Sequence, residues 1–234
     1  MRLVYCGSGW LPIVERIRAR LPECEVVVWD RAVPLGDAIA EAEIVLPSNS
    51  AFDAAAVRSA KKARLFQQPA AGYENIDLEA ARARGIPVCN APATNEVSVA
   101  EAALFLMLSL ARRVNGARDA FAARQIGTPL GIELRRRSLV TIGRGRSARA
   151  LIDMAHGLGM RTRALGSDAD EAAYREALGD AHFVSIHCPL GPATRGMFDD
   201  ARFAMLRPLA FLVNCARGAI VDRGALIRDR KSVV

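Results

Sequence analysis

Three features of the sequence predict an α/β fold with two doubly wound parallel-sheet domains. Short apolar segments rich in strand-forming residues alternate with segments of helical periodicity. A glycine pattern typical of dinucleotide-binding turns lies between one such strand and one such helix. The 234 residues are 51% hydrophobic, which is enough apolar material for sizeable cores without disulfides or metals.

Residues 1–95 alternate strand and helix segments, which predicts a flavodoxin-like parallel sheet with helices on both faces. Pro12 suits the first turn of the first helix, where a missing N–H costs nothing. Ser48 and Ser50 are candidate N-caps of the third helix, and Gly85 ends the fourth. The predicted strands are Arg2–Cys6, Glu25–Trp29, Glu43–Leu46, Arg64–Gln67 and Pro87–Cys89, and the predicted helices are Leu11–Leu21, Asp37–Ala42, Ala51–Ala60 and Asp77–Arg84.

Residues 96–234 predict a second domain that begins with a long apolar helix, Val97–Val114. Its apolar side chains form more than one stripe, so the helix is expected to be buried on more than one side. A shorter helix, Ala117–Arg124, and a loop over 126–137 follow. The main predicted stripe consists of Val99, Ala103, Leu106, Leu110 and Val114, and it is widened by Leu104, Met107 and Leu108.

The stretch Ser138–Gly159 organises this second domain. A short apolar strand is followed by the pattern G-x-G-x-x-A and then by a helix. Gly143 allows the tight turn, Gly145 lets backbone N–H groups approach a pyrophosphate, and Ala148 lets the helix lie close to the strand. The pattern therefore predicts that phosphates bind at a helix N-terminus, where unpaired N–H groups and the helix dipole favour an anion.

The rest of the second domain continues the alternation of strands and helices. After the fingerprint helix, Gly157 and Gly159 provide the stop signal. The predicted strands are Ser138–Ile142, Arg161–Leu165, His182–His187 and Phe211–Asn214, and the predicted later helices are Ala169–Leu178 and Ala201–Met205.

The composition of the chain indicates which kinds of binding partner to expect and in which compartment the protein is found. The net charge is +7, but the basic residues are spread along the chain among acidic ones, and aromatic residues are few, so nucleic acid is not expected. The longest apolar run, Ala102–Ala111, is too short to span a membrane. The sequence contains no C-x-x-C pair, so it indicates no metal site. Cys6, Cys89, Cys188 and Cys215 are expected to be buried thiols. A cytoplasmic protein without metal is therefore predicted.

Two further segments contain candidate anion-binding groups. The turn after the fourth strand, around Ala71 and Gly72, opens a helix, so its N–H groups suit a small anion such as a carboxylate. An ordinary βα turn explains this segment about equally well. Arg217 follows a buried strand directly, at the strand end where ligands bind in open α/β sheets, and an arginine can hold a carboxylate with two parallel hydrogen bonds.

Five segments together resemble the D-isomer-specific 2-hydroxyacid dehydrogenases. They run in family order through most of the chain: QQPAAGYENIDLEAARARGIPVCNAP, NEVSVAEAALFLMLSLARR, IGRGRSARA, HCPLGPATRG and NCARGAIVDRGAL. The resemblance implies an oxidoreductase that moves a hydride between NAD(P) and a 2-hydroxy or 2-oxo acid. It also implies that residues 1–95 form the substrate domain and that residues 96–234 form a Rossmann NAD(P)-binding domain, incomplete at its C-terminus.

The resemblance also implies roles for individual residues. Arg217 matches the catalytic arginine, and Ala71 and Gly72 match the backbone turn that holds the substrate carboxylate. The cofactor-binding positions it implies are Gly143, Gly145, Arg146, Ser147 and Ala148 in the phosphate turn, Ser167 and Asp168 after the next strand, His187, Cys188, Pro189 and Thr194 after the third strand, and Cys215 and Ala216 beside the nicotinamide.

Two departures from the family pattern concern the cofactor. In the family, an acidic residue at the end of the strand after the fingerprint helix binds the adenosine ribose. That position is Gly166 in this sequence. Asp168 follows two residues later and would reach the ribose if the loop bends back. Arg144 and Ser147 place a charge and a hydroxyl where the family has apolar residues. The cofactor is therefore NAD or NADP, with NAD slightly favoured.

A third departure concerns proton transfer. In the family, further elements after the arginine carry a glutamate and then the acid/base histidine, whereas this sequence ends at Val234. His156 and His182 match neither position. We therefore expect trace dehydrogenase activity at most from this length, and an inactive dinucleotide-binding remnant or regulatory protein stays open as the alternative.

The helix Val97–Val114 further predicts a homodimer through residues 97–124.

Overall fold

A computed structural model describes residues 1–229. The chain divides into two compact units, with the first comprising Met1–Thr94 and the second starting at Asn95. Each unit contains one parallel sheet with its own hydrophobic core. Within residues 1–229, no helix is long and apolar enough to cross a bilayer.

The first unit contains a five-stranded parallel sheet in the order β2-β1-β3-β4-β5. This is the flavodoxin-like strand order, as predicted. Its elements are β1 (Arg2–Tyr5), α1 (Pro12–Arg20), β2 (Glu25–Val28), α2 (Leu35–Ile39), β3 (Ile44–Leu46), α3 (Ala54–Ser59), β4 (Leu65–Gln67), α4 (Leu78–Ala83) and β5 (Val88–Cys89).

One predicted helix start in this unit is wrong. Neither Ser48 nor Ser50 caps α3, because the chain first forms a bridge between Phe52 and Ile76 and only then turns into the helix. Asp53 is the N-cap, and its Oδ1 atom accepts a hydrogen bond from the Ala56 amide at 2.9 Å. The side-chain acceptor nearest the helix thus satisfies an amide that the helix leaves unpaired.

The second unit contains a four-stranded parallel sheet in the order β7-β6-β8-β9. A short 3₁₀ helix (Gly218–Ile220) and a further α-helix, neither of which was predicted from the sequence, follow the last strand. The elements are α5 (Glu96–Ala111), α6 (Val114–Ala122), β6 (Ser138–Ile142), α7 (Arg146–Gly157), β7 (Arg161–Leu165), α8 (Glu171–Asp180), β8 (Phe183–Ile186), α9 (Asp200–Met205), β9 (Phe211–Asn214) and α10 (Arg223–Arg228).

The buried face of α5 differs from the predicted stripe. Leu106 and Val114 are exposed, and Arg113 adopts a left-handed backbone conformation (φ 52°) that ends α5 and begins α6. The helix packs its small side chains against α7 and β9, and larger side chains on that face would hold the elements apart. The buried residues of α5 are Ala100, Ala103, Met107 and Ala111.

The five cysteines are all free thiols in the structure. Cys6 is buried, as predicted, and burial raises the pKa of its thiol to about 12. Cys89 is exposed, contrary to the prediction, because it ends the two-residue edge strand β5. Cys188 and Cys215 are half-buried, and burial also raises the pKa of each of these thiols.

Candidate functional site

The carboxyl ends of the four strands in the second sheet bring the predicted residues to one edge. Because the strands are parallel and in register, the turns that follow Ile142, Leu165, Ile186 and Asn214 lie side by side. Strand β6 lies between β7 and β8, so the chain leaves β6 at the point where the strand order reverses. Ligands of open α/β sheets bind at this kind of position.

The turn between β6 and α7 requires glycine at one position and leaves open space at the other. Gly143 has a φ of 116°, and a Cβ atom there would lie 2.8 Å from the carbonyl carbon and oxygen of His187. A Cβ atom on Gly145 would have no neighbour within 4 Å. Gly145 is the N-cap of α7 without a side-chain acceptor, and Ala148 is fully buried. This turn therefore has room for a ligand beside the amides of a helix N-terminus.

His187 connects the end of β8 to the start of α7. Its Nδ1 atom lies 3.0 Å from the Ser147 hydroxyl, and its Nε2 atom lies 2.9 Å from the Ser185 hydroxyl. Burial lowers the pKa of His187 to about 4, so the imidazole is neutral at pH 7. The unusual Ser147 of the phosphate turn thus has a structural partner that the sequence pattern did not indicate.

A cleft of about 650 Å³ opens between the ends of β6, β7 and β8. This volume is in the range of ordinary cofactor sites. The predicted residues Arg146, Ser147 and Ala148 lie on α7 next to the cleft but do not line it. Its lining comprises Ile142, Gly143, Arg144, Gly145, Leu165, Gly166, Ser167, Asp168, Ala169, Tyr174, His187, Cys188, Pro189, Ala193, Thr194, Met197 and Arg202.

The loop after β8 forms one wall of the cleft, and Thr194 closes this loop. The Thr194 hydroxyl donates a hydrogen bond to the carbonyl of Pro189 (2.7 Å) and accepts one from the amide of Gly191 (2.8 Å). These two bonds hold the segment that begins at His187 as a compact turn. Cys188, Pro189 and Thr194, which the sequence predicts as cofactor-binding residues, therefore lie together along this wall.

Tyr174 and Arg202 also line the cleft, although neither was predicted from the sequence as a site residue. The Arg202 guanidinium lies 3.9 Å from the centre of the Tyr174 ring and donates two hydrogen bonds of 2.6 Å to Glu171. The pair joins α8 to α9. The sequence gives no signal for this contact, because the two side chains come from different helices.

Arg217 is exposed in the turn after β9, which also contains the half-buried residues Cys215 and Ala216. The side chain of Asn214 closes this turn by donating to the carbonyl of Arg217 (2.9 Å) and accepting from the amide of Ala216 (3.0 Å). The Arg217 Nη1 atom donates to the carbonyl of Ala216 at 3.0 Å. The turn after β9 thus presents a guanidinium at the same sheet edge as the phosphate turn, although it does not line the cleft.

The turn at Ala71 and Gly72 in the first unit is held by amide side chains, of which Gln68 is buried. Gln68 Nε2 donates to the carbonyls of Gly72 (2.7 Å) and Ser48 (3.0 Å), and Asn90 Nδ2 donates to the carbonyl of Ala71 (2.8 Å). Asn75 Nδ2 donates to the carbonyls of Ser48 and Ser50. These contacts join the turns after β3 and β4, and the sequence could not reveal them because they depend on strand pairing.

The other two histidines lie apart from the cleft. His182 precedes β8 at the opposite end of the sheet, where Arg137 and Arg207 approach its Nε2 atom at 3.0 and 2.6 Å. The His156 Nε2 atom lies 2.7 Å from the Thr162 hydroxyl on the surface. In the part of the chain that the structure describes, no cluster of His, Cys, Asp or Glu side chains could hold a metal ion.

Comparison with known proteins agrees with this geometry. Residues 104–232 match the family described as "D-isomer specific 2-hydroxyacid dehydrogenase, NAD binding domain". The chain is 34% identical to glyoxylate reductase from Thermococcus litoralis over 195 residues, which are 75% of this chain and 59% of that protein. It is 33% identical to chloroplastic D-3-phosphoglycerate dehydrogenase 2 from Arabidopsis thaliana over 206 residues, which are 81% of this chain and 33% of that protein.

A solved structure supports the same fold. D-lactate dehydrogenase from Aquifex aeolicus, determined with NAD and lactic acid, superposes with a TM-score of 0.86 at 23% identity, covering 99% of this chain and 73% of that one. The chain spans 59% or less of the length of the two curated relatives named above. From the match over more than half of its residues, the chain belongs to the D-isomer-specific 2-hydroxyacid dehydrogenase family.

Proposed function

We propose that this chain binds NAD and takes part in hydride transfer between NAD and a 2-hydroxy or 2-oxo acid. The observation that supports this most strongly is the convergence of a phosphate-type turn, an aspartate and an arginine on one edge of a parallel sheet. In this proposal residues 1–95 form the substrate domain and residues 96–234 form the cofactor domain.

The residues around the cleft fit NAD. Gly145 leaves room beside the α7 amides, which would hold the pyrophosphate together with the other phosphate-turn residues. Ser167 and Asp168 would hold the adenosine ribose, and His187, Cys188, Pro189 and Thr194 would form the wall beside the cofactor. Cys215 and Ala216 would lie beside the nicotinamide, which supplies or accepts the hydride when bound. NAD is favoured over NADP because an aspartate lines the ribose end of the cleft.

Arg217 is the proposed substrate-binding residue of the second unit. Its guanidinium can hold a carboxylate through two parallel hydrogen bonds and polarise a neighbouring carbonyl oxygen. In the first unit, the backbone amides of Ala71 and Gly72 would hold a carboxylate, and Gln68 and Asn90 fix the orientation of that turn. The alternative of an inactive dinucleotide-binding remnant is not favoured by any of these observations.

We further propose a homodimer in the cytoplasm. Helices α5 and α6 expose large apolar side chains, among them Phe105 (67% exposed) and Phe121 (82% exposed), which a second copy of the chain would cover. Five free thiols suit a reducing compartment. A small-molecule acid is the proposed partner, rather than nucleic acid or a membrane.

Oxidation of NADH in the presence of glyoxylate, hydroxypyruvate or pyruvate, at high protein concentration, tests the proposed activity. We expect slow 2-oxo-acid-dependent oxidation that falls below detection in Arg217→Gln, because the variant loses the charge that orients the substrate. Arg223→Gln is the matched control, since Arg223 is also exposed but lies on α10. Oxidation that needs no 2-oxo acid, or that is equal in both variants, would contradict the proposal.

A further inference from the structure

The amino-terminal edge of the second sheet, at the opposite end from the cleft, brings two arginines to one histidine. Arg137 precedes β6, His182 precedes β8 and Arg207 follows α9. The Nη1 atoms of Arg137 and Arg207 lie 3.0 and 2.6 Å from His182 Nε2. All three residues are half-buried, so the cluster can be reached from solvent. The pairing of β6 with β8 thus holds two positive charges beside a single imidazole nitrogen.

The hydrogen bonds around His182 determine which ring nitrogen carries the proton. Arginine N–H groups can only donate, so Nε2 is the acceptor and a neutral ring carries its proton on Nδ1. The Ser138 hydroxyl oxygen lies 2.8 Å from Nδ1 and accepts this proton, because its own proton is donated to the carbonyl of Asp180. The Ser138 amide is farther from Nδ1, at 3.3 Å, and makes no hydrogen bond to the protonated nitrogen. The imidazole therefore offers one lone pair to two guanidiniums.

The charges of Arg137 and Arg207 have no carboxylate partner within residues 1–229, whereas other arginines of this unit have one. Arg161, at the same edge, pairs with Asp180 at 3.3 Å. A guanidinium has five N–H donors, and each of the two uses one of them on His182. Like charges held close together repel each other, so this cluster favours an anion that comes from outside the chain.

We propose that Arg137, Arg207 and His182 form a binding site for a tetrahedral oxyanion such as phosphate, sulfate or the phosphate group of a monoester. A dianion matches the two positive charges, and its oxygens accept the N–H groups that His182 leaves unused. The site lies at the other end of the sheet from the proposed cofactor cleft. The two sites can therefore be tested independently of each other.

The geometry couples anion binding to a proton on His182. When Nε2 binds a proton, it no longer accepts from either guanidinium, and the oxygens of a bound anion then provide the acceptors. Burial, Arg207, Arg137 and Arg161 lower the pKa of His182, and Asp180 raises it. A bound dianion adds a negative charge and so raises this pKa. By linkage, sulfate should bind more tightly at mildly acidic pH than at neutral pH.

NMR spectroscopy of the imidazole groups tests the site in the unmodified protein. The chain has three histidines, and replacing each with glutamine assigns its signals. In a titration with sodium sulfate, with ionic strength held constant by sodium chloride, the His182 signals should shift saturably and the pKa of His182 should rise. His156 is the internal control. His187 lies beside the phosphate turn, so a shift of His187 without a shift of His182 would place the anion there and overturn the inference.

Calorimetry of sulfate binding tests the individual residues. Arg137→Gln and Arg207→Gln should each weaken binding by about tenfold or more, because each removes a charged donor. Arg175→Gln is the matched control, since it removes the same charge from an exposed position on α8 and should leave the affinity unchanged. His182→Gln keeps an acceptor but cannot take up a proton, so the pH dependence of binding should disappear. Circular dichroism establishes that each variant is folded, and the NMR titration decides if an arginine variant is not.

Inorganic phosphate and glycerol phosphate, titrated beside sulfate, distinguish the sources of the anion. Tighter binding of glycerol phosphate would identify a phosphate monoester as the ligand, and equal or weaker binding would identify the inorganic anion. Equal sulfate affinity in the unmodified protein and both folded arginine variants would overturn the inference. The same holds if sulfate shifts the His182 signals no more than chloride does at equal ionic strength.

Discussion

The imidazole of His187 contacts the hydroxyl of Ser147 through Nδ1 at 3.0 Å, which joins the end of β8 to the first turn of α7. The Ser185 hydroxyl faces Nε2 on the other side of the ring. Since a serine hydroxyl can donate or accept, the two contacts satisfy a neutral imidazole in either tautomer. Burial lowers the pKa of His187 to about 4, so the imidazole in this contact is uncharged at neutral pH.

The burial of His187 predicts a pH dependence of stability. The pKa of His187 is lowered from 6.5 to about 4 in the folded protein, so the unfolded chain binds the proton more tightly. The stabilisation is complete above pH 6.5 and is lost as the pH falls from 6.5 towards 4. Between about pH 7 and about pH 5, the unmodified protein should lose about 1–2 kcal/mol more unfolding free energy than His187→Gln, after allowance for partial exposure.

Urea unfolding of both proteins at the two pH values measures this difference. His182, whose pKa is also lowered, titrates in both proteins and cancels. An equal loss of unfolding free energy in the two proteins would show that His187 is not held neutral by its surroundings.

Gly143 should tolerate no side chain. Gly143→Ala forces a Cβ atom to 2.8 Å from the His187 carbonyl group and a residue with a side chain into φ 116°, so we expect a loss of about 2–3 kcal/mol in the free energy of unfolding. Gly145→Ala in the same turn is the control, because its Cβ would meet no atom within 4 Å. Chemical denaturation that gives equal stabilities for the two variants would mean that the turn has a different conformation.

The buried face of α5 can be tested by truncation. Met107 is fully buried against the α7 side of the core, so Met107→Ala should lower the unfolding free energy by about 2–4 kcal/mol. Leu106 is 40% exposed, and Leu106→Ala should cost less than about 1 kcal/mol. Denaturant midpoints that rank the two variants in the opposite order would favour the stripe predicted from the sequence.

The proposed homodimer predicts a change of mass. Light scattering after gel filtration should give twice the chain mass for the unmodified protein and the single chain mass for Phe105→Asp combined with Phe121→Asp, because a charge at an apolar interface is left unpaired. Leu209→Asp is the control, since Leu209 is an exposed apolar residue outside α5 and α6. A monomeric unmodified protein at micromolar concentration would rule out this interface.

Two strands of the second unit were predictable from local patterns, because Ser138–Ile142 is an apolar segment that ends at Gly143 and Arg161–Leu165 lies between Gly159 and Gly166. Ser138–Ile142 and Arg161–Leu165 have the bounds that the sequence indicates. The buried face of α5 was not predictable from the size of its apolar side chains alone. A helix that is apolar all round offers several faces, and close packing against α7 selects the face with alanines.

The residues of the candidate site fall into two groups in the same way. Some could be predicted from local sequence patterns, and others depend on tertiary contacts. The glycines of the β6–α7 turn are a local pattern, and the structure places them at the predicted strand end. The ion pair between Arg144 and Asp168 (2.9 Å) and the contact between Ser147 and His187 join residues on different strands and loops. The spacing along the chain therefore indicates that such residues are near the site, and only strand pairing determines their partners.

Binding of NADH to the unmodified protein and to Gly145→Val tests whether the turn between β6 and α7 holds the cofactor. The valine side chain would fill the space beside the α7 amides without touching other atoms of the protein at its Cβ, so the fold should persist and binding should be lost. Gly157→Val, at the far end of α7, is the control for valine in this helix. We expect NADH binding by the unmodified protein and the control but no measurable binding by folded Gly145→Val. Equal affinity in all three proteins would show that the cofactor does not bind at this turn.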